Sequence, residues 1–282
     1  MGFRGILGLL IVVWSVQGAA KVKAVIGGVA ISRNVNIAAV LPEAKGDEIL
    51  ISRPQYVISY NTERRSPNWV AWRLEDSDVG PLTRSGTFQS DPDLEKYFTK
   101  SGEASAPVGQ GEFARTCLDR GHQVPSKDRT DSVKNNEATF YMTNVLPQTR
   151  FMNRVLWEHL EKYTRDLVKK EGKKVYVVSG PIYDQDFGKI GPQQDIPVPS
   201  KFFKILYIYD RNTNPATNPG ARDVIAAVFP NTNSDGSRPL LTKVCEEIDI
   251  ADGLGTKDDW MQFRTQPKDL ETLSGLSFKP RP

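Results

Sequence analysis

An α+β fold, a central antiparallel sheet flanked by helices, is what the sequence predicts. Short apolar stretches with strand character recur without regular alternation with helices. One long amphipathic helix stands out among them, and Gly, Pro, Asn or Asp lies close to each stretch. The 282 residues, 39% hydrophobic and 25% charged, can bury one sizeable core, which excludes a disordered or collagen-like chain.

The elements follow in order. Arg4, the apolar run from Ile6 to Val16 and the small residues Gly18, Ala19 and Ala20 have the order of a signal peptide, here residues 1–20. Its apolar part falls short of the ~20 residues that span a bilayer, so a secreted or periplasmic protein is expected, without stable membrane association after removal. An uncleaved anchor is the alternative. Residues 21–50 show no sustained period and read as a loosely packed N-terminal extension, leaving 51–282 as the domain.

Tyr56, Ile58 and Tyr60 alternate, Arg64 to Pro67 make a turn, and Trp69 to Leu74 form the next strand. Further strands are expected at Ala138 to Asn144, Val175 to Ser179, Phe202 to Tyr209 and Val224 to Phe229. The helix runs from about Asn153 to Lys170, with Leu156, Leu160, Tyr163 and Leu167 as its buried stripe and Gly172 as its stop. A shorter helix is expected near Pro267 to Gly275, and a surface loop from Gly188 to Pro199.

Two cysteines, Cys117 and Cys245, and two histidines, His122 and His159, exclude a four-cysteine zinc site. An oxidising compartment permits the cysteines to pair, but the sequence leaves a disulfide and two buried thiols equally open. Net charge is only +3. Its distribution is more informative: Glu112 to Lys174 carries thirteen Lys/Arg against nine Asp/Glu, whereas Cys245 to Trp260 carries one Lys against six acids.

The chemistry concentrates in the segment Cys117 to Thr130. His122 has the side chain suited to proton transfer near neutrality, and Arg120, two residues away, shares its face if the segment is extended. A base beside a cation suits a phosphate ester. On the helix, Asn153, Trp157, Glu161 and Arg165 recur every four residues, which predicts a polar stripe suited to a hydrated hard cation. A hydrogen-bonded structural histidine and an ordinary i,i+4 Glu161–Arg165 pair remain the plainer readings.

Asp119-Arg120-Gly121-His122 resembles the DRGH signature of the DNA/RNA non-specific endonucleases of the ββα-metal class, especially the exported cyanobacterial type. The resemblance continues through Pro125, Asn144, Pro147-Gln148, Asn153-Arg154, Trp157, Glu161 and Arg165 to Ser179-Gly180-Pro181, and back to Arg84 with Phe88 and to Pro67–Trp72. It implies a sugar-non-specific endonuclease acting on DNA and RNA and leaving 5′-phosphate ends. By the same resemblance, His122 is the general base and Asn153 the single protein ligand of a divalent metal. Glu161 holds waters of that metal, and Arg84, Arg120 and Arg165 face phosphate; Asp119, Gly121, Asn144 and Gln148 support the site. Mg²⁺ or Mn²⁺ suits one amide oxygen and several waters better than zinc. An inhibitor protein is not deducible. Two rivals stand beside this reading: a nucleic-acid-binding protein without catalysis, and a serine hydrolase using Ser179, which lacks a G-x-S-x-G elbow because Val177 holds the first glycine position.

Overall fold

Strands whose side chains are apolar on both faces build an eight-stranded sheet that is covered on both sides. A computed structural model describes residues 22–43, 48–103, 107–220, 223–241 and 255–278. The chain runs through β1 (Val22–Ile26), β2 (Glu48–Ser52), β3 (Val57–Asn61), β4 (Ser66–Leu74), α1 (Pro92–Ser101), β5 (Asp119–His122), α2 (Val133–Ala138) and β6 (Val145–Gln148). A π-helical turn (Met152–Trp157) leads into α3 (Glu158–Glu171), followed by β7 (Lys173–Ile182), β8 (Lys189–Ile190), β9 (Ile196–Pro197), β10 (Lys201–Asp210), β11 (Asp223–Pro230), β12 (Arg264–Thr265) and α4 (Pro267–Ser274). The large sheet has the order β1-β2-β3-β4-β7-β10-β11-β12 and is antiparallel except for β1 against β2.

Alternate residues of each strand enter different cores. Phe202, Leu206 and Ile208 of β10 join Trp157, Leu160 and Leu167 on the α3 side, while Phe203, Ile205, Tyr207 and Tyr209 join Leu270 of α4 on the other. The predicted stripe of α3 is buried at Leu156, Leu160 and Leu167, with Tyr163 partly so. Gly172 ends the helix at φ 64°, its N–H donating to the Leu167 carbonyl, a left-handed cap that glycine adopts without a Cβ penalty. The pair β5–β6 leading into the α3 helix gives the compact ββα unit that carries the DRGH residues.

Three expectations are corrected. The described part of residues 21–50 is no loose extension: β1 and β2 belong to the sheet, and Ile37, Ile49 and Leu50 are buried. Their burial comes from sheet pairing and packing, which local periodicity does not reveal. No strand spans Ala138 to Asn144. Ser132 caps α2 by accepting from the Asn135 N–H, so the helix reaches Ala138, and a 3₁₀ turn (Met142–Asn144) delays the strand to Val145. The 188–199 loop carries the β8–β9 hairpin and buries Ile190, Ile196 and Val198 with Phe113 and Leu118 in a third apolar cluster.

Burial at β2 and exposure at β1 give a direct test. Ile49→Ala removes a fully buried side chain and should destabilise the protein by about 2–5 kcal/mol, whereas Val25→Ala, at a position 51% exposed, should stay within about 0.5 kcal/mol of the parent in urea unfolding. Equal small effects at both would mean that β2 is not part of the core.

Candidate active site

β5 is held against both its neighbouring strand and the helix behind it. Its register sets Asp119 opposite Gln148 and His122 opposite Val145, and the Trp157 indole N–H donates to the His122 carbonyl at 3.2 Å. Just beyond, the fully buried Asn144 side chain accepts from the Val124 N–H (2.9 Å) and donates to the carbonyls of Val124 (3.0 Å) and Thr139 (2.8 Å). Asn144 therefore fixes the backbone just beyond His122. Gly121 leaves room for a neighbour: a Cβ there would stand 1.9 Å from Oε1 of the buried Gln148.

Asp119 joins the strand to the start of the helix. Its carboxylate accepts from Asn153 Nδ2 at 2.8 Å and from Arg154 Nε and Nη2, both at 2.8 Å. A carboxylate only accepts hydrogen bonds, so the Asn153 amide nitrogen must face Asp119. The Asn153 oxygen is thereby left without a hydrogen-bond donor among the described residues. The helix start is itself tied to the sheet, because the Thr149 N–H donates to Oδ1 of the buried Asn231 at 2.8 Å while the Asn153 N–H donates to the Thr149 carbonyl at 2.9 Å.

Above this junction lies a cleft of about 490 Å³ lined by Arg84, Phe88, Asp119, Arg120, Asn153 and Arg154, with Phe113 and Leu118 from the third cluster. Arg84 stands over the Phe140 ring at 4.8 Å and Arg120 over the Phe88 ring at 5.3 Å. Neither guanidinium forms an ion pair among the described residues, and Arg120 donates only to the Gln110 carbonyl at 3.4 Å. Two cations without carboxylate partners beside an open cleft suit an anion with several acceptor oxygens.

His122 does not line the cleft but lies against Phe88, which does, its ring 5.1 Å from Phe88 and 4.8 Å from Phe140. Burial, together with the nearby Arg84 charge, lowers its pKa to about 3, so the imidazole is neutral at neutral pH and can accept a proton. Its Nε2 is shielded from solvent and has no hydrogen-bond partner among the described residues.

Glu161 and Arg165 lie further along the helix, outside the cleft lining. Arg165, expected to face phosphate, instead turns to Asp128 at 3.1 Å, with Glu158 at 3.7 Å and Glu161 at 3.9 Å. Asp128 also accepts from the Trp72 indole at 3.0 Å, which ties the pair to the sheet. The expected four-residue stripe is broken because the π-helical turn changes the rotation per residue between Met152 and Trp157, and Trp157 enters the core at 1% exposure. Burial raises the Glu161 carboxyl to about 7, against the opposing pull of Lys204 and Arg165.

Local patterns did not single out Arg154, Asp128, Lys204 or Asn231. Lys204 alone carried a signal, as an isolated charge in the apolar run Phe202 to Ile208. Ser179, the nucleophile of the rival hydrolase reading, is fully buried inside β7 and bonded to the Gln123 side chain at 3.1 Å, which leaves it no access to a substrate. Cys117 is disulfide-bonded, while Cys245 and most of the acidic stretch near it lie outside the described residues.

A model of the DNA/RNA non-specific endonuclease family matches residues 34–282. The chain belongs to that family. A nuclease of Nostoc sp. is 29% identical over 289 residues, covering 99% of this chain and 93% of its own. A nuclease of Serratia marcescens is 31% identical over 245 residues, covering 86% of this chain and 79% of its own. The fold is shared with a chain in the crystal structure of the EndoG/EndoGI complex, at a TM-score of 0.58 and 23% identity, with 81% of this chain and 84% of that one covered. This endonuclease thus has the ββα unit in the setting of a large flanked sheet, as expected of an α+β fold.

The contact between Gly121 and Gln148 is testable in the endonuclease. Gly121→Ala overpacks a buried position and should destabilise the fold by about 1–3 kcal/mol in urea unfolding. The double variant with Gln148→Ala should recover more than half of that loss. Additive losses would show that Gln148 is not what excludes a Cβ at residue 121.

Proposed function

We propose that this non-specific DNA/RNA endonuclease is exported and metal-dependent, with the cleft between Arg84, Arg120 and Asn153 as the place where the phosphodiester is cut. The observation that carries the reading is the Asp119–Asn153 hydrogen bond, which among the described residues leaves an amide oxygen without a donor beside two guanidinium groups without a carboxylate partner. Among the described residues there is no group of three or more His, Cys, Asp or Glu that could hold a metal. A site built on one neutral oxygen and water suits a hard cation, Mg²⁺ or Mn²⁺, which retains much of its hydration shell. Bound there, the cation would neutralise phosphate charge and assist departure of the 3′ oxygen.

The protein's own groups supply the rest. Arg84 and Arg120 bind the non-bridging phosphate oxygens, and His122, neutral at working pH, takes a proton from the attacking water. In-line attack at phosphorus with loss of the 3′ oxygen leaves 5′-phosphate and 3′-hydroxyl ends. Glu161 contributes a carboxylate that orders water on the helix side, and Arg165 orients that carboxylate rather than contacting substrate. Contacts to phosphate carry no sequence information, which agrees with cleavage of both DNA and RNA. For export, the support is the N-terminal order of charge, apolar run and small residues; those residues lie outside the described ones. No helix among the described residues is long and apolar enough to cross a membrane.

Two measurements test this reading. His122→Ala should cut plasmid-cleavage rate by about 10²–10⁴ while thermal unfolding and salt-sensitive DNA binding stay near wild type. A folded, DNA-binding variant cleaving within a few-fold of wild type would remove His122 from the mechanism. Asn153→Ala should lose activity that is partly restored by raising Mg²⁺ or Mn²⁺, whereas Arg84→Ala should raise KM without response to metal. Identical metal dependence in both variants and wild type would show that Asn153 is not the ligand.

A further inference from the structure

Lys204 occupies a strand position surrounded by apolar side chains. Phe202 and Leu206, its neighbours on the same face of β10, are fully buried, and Lys204 itself is 1% exposed. Its ammonium meets the face of Trp157, with Nζ 3.8 Å from the ring centroid, and the Glu161 carboxylate, with Oε1 at 3.5 Å. Removing an ammonium from water is costly even when it is paired, and an apolar side chain of similar length usually fills such a position more favourably. The charge is therefore tied to what it does for Glu161.

The surrounding charges make the same point. Glu161 faces Arg165 and Glu158 from its own helix, Asp128 from the turn after β5, and Lys204 from the sheet. Arg165 lies closer to Asp128 (3.1 Å) than to Glu161 (3.9 Å), and Glu158 is engaged by Lys127 at 3.1 Å. Among the buried members, Asp128 and Glu161 are balanced by Arg165 and Lys204 together; without Lys204 the cluster carries one uncompensated negative charge. Trp157 connects the cluster to the base, because the ring under Lys204 also donates its N–H to the His122 carbonyl.

We propose that Lys204 is a positioning residue of the nuclease: seated on Trp157, it favours the ionised form of the Glu161 carboxyl and fixes it in place along the helix that starts at Asn153. The proposal rests on the reading that Glu161 serves cleavage. Burial already holds the Glu161 carboxyl at about 7 with Lys204 present, so loss of the ammonium moves it further up and protonates it at neutral pH.

The test uses the full metal-free chain. The Glu161 side-chain carboxyl is followed by ¹³C NMR, assigned by its absence in Glu161→Gln, and titrated in wild type, Lys204→Met and Lys204→Arg. The midpoint should rise by about one pH unit or more in Lys204→Met and stay near wild type in Lys204→Arg. With Mg²⁺ added, the acid limb of kcat/KM should move the same way: Lys204→Met should lose roughly fivefold or more near neutrality and recover to within about threefold in alkaline buffer. In the Glu161→Gln background the same substitution should cost less than about twofold. Lys204→Gln replaces the Met variant if thermal unfolding shows that Met is not tolerated. An unshifted midpoint with a loss independent of pH, additive with Glu161→Gln, overturns the proposal and leaves Lys204 a packing role. If the midpoint moves but Glu161→Gln cleaves at the wild-type rate, the coupling stands while its place in the reaction, and with it the role assigned to Glu161, is overturned.

Discussion

The site depends on the fact that a carboxylate cannot donate a hydrogen bond. Asp119 accepts one bond from Asn153 and two from Arg154, and that demand fixes which end of the Asn153 amide faces the cleft. The orientation holds only if β5 and the first turn of the helix keep their separation. Two further contacts maintain it: the Trp157 indole on the His122 carbonyl and the Asn231 side chain on the Thr149 N–H. Asn231 also donates to the carbonyls of Pro147 and Pro199, so strand β6, the helix start and the loop before β10 meet at one buried amide.

Charge is treated in two opposite ways within a short distance. Buried arginines are paired: Arg53 contacts Asp91 and Asp93, each at 2.8 Å, and Arg165 contacts Asp128. Breaking such pairs leaves a buried charge without compensation, so they specify one arrangement of the elements they join. Arg84 and Arg120 form no ion pair among the described residues, which leaves the cleft a local positive potential. The ionic surplus of the sequence between Glu112 and Lys174 is small, and it does not reveal which cations lack a carboxylate partner among the described residues.

The site was legible where its logic is local. An extended Asp119–His122 segment shows Arg120 and His122 from their spacing, and the α3 helix is readable from its leucines and its closing glycine. The surroundings of Glu161 and Arg165 were not equally readable, because their partners are distant in sequence: Asp128 precedes Arg165 by 37 residues, and Lys204 lies on a strand beyond the whole of β7. The π-helical turn at Met152–Trp157 has no periodic signature of its own, so the sequence suggested a regular stripe on which Trp157 was polar-facing. In β2 the failure was different. All five residues are buried, including Glu48 and Ser52, so neither alternation nor composition marks the segment as sheet.

The aromatic wall links the two cations of the cleft to His122. Phe88 contacts the His122 ring on one hand and the Arg84 and Arg120 guanidinium groups on the other. Its burial of the imidazole, with the charge of Arg84, keeps His122 neutral and a weak base in the free protein. A phosphate bound between the two arginines carries the opposite charge. It offsets the Coulombic part of the depression and favours the protonated imidazolium that proton transfer creates. On the proposed roles of Arg84 and His122, the cation that holds the substrate is the same one whose neutralisation strengthens the base, so basicity would rise when a phosphodiester occupies the cleft and fall again when it leaves.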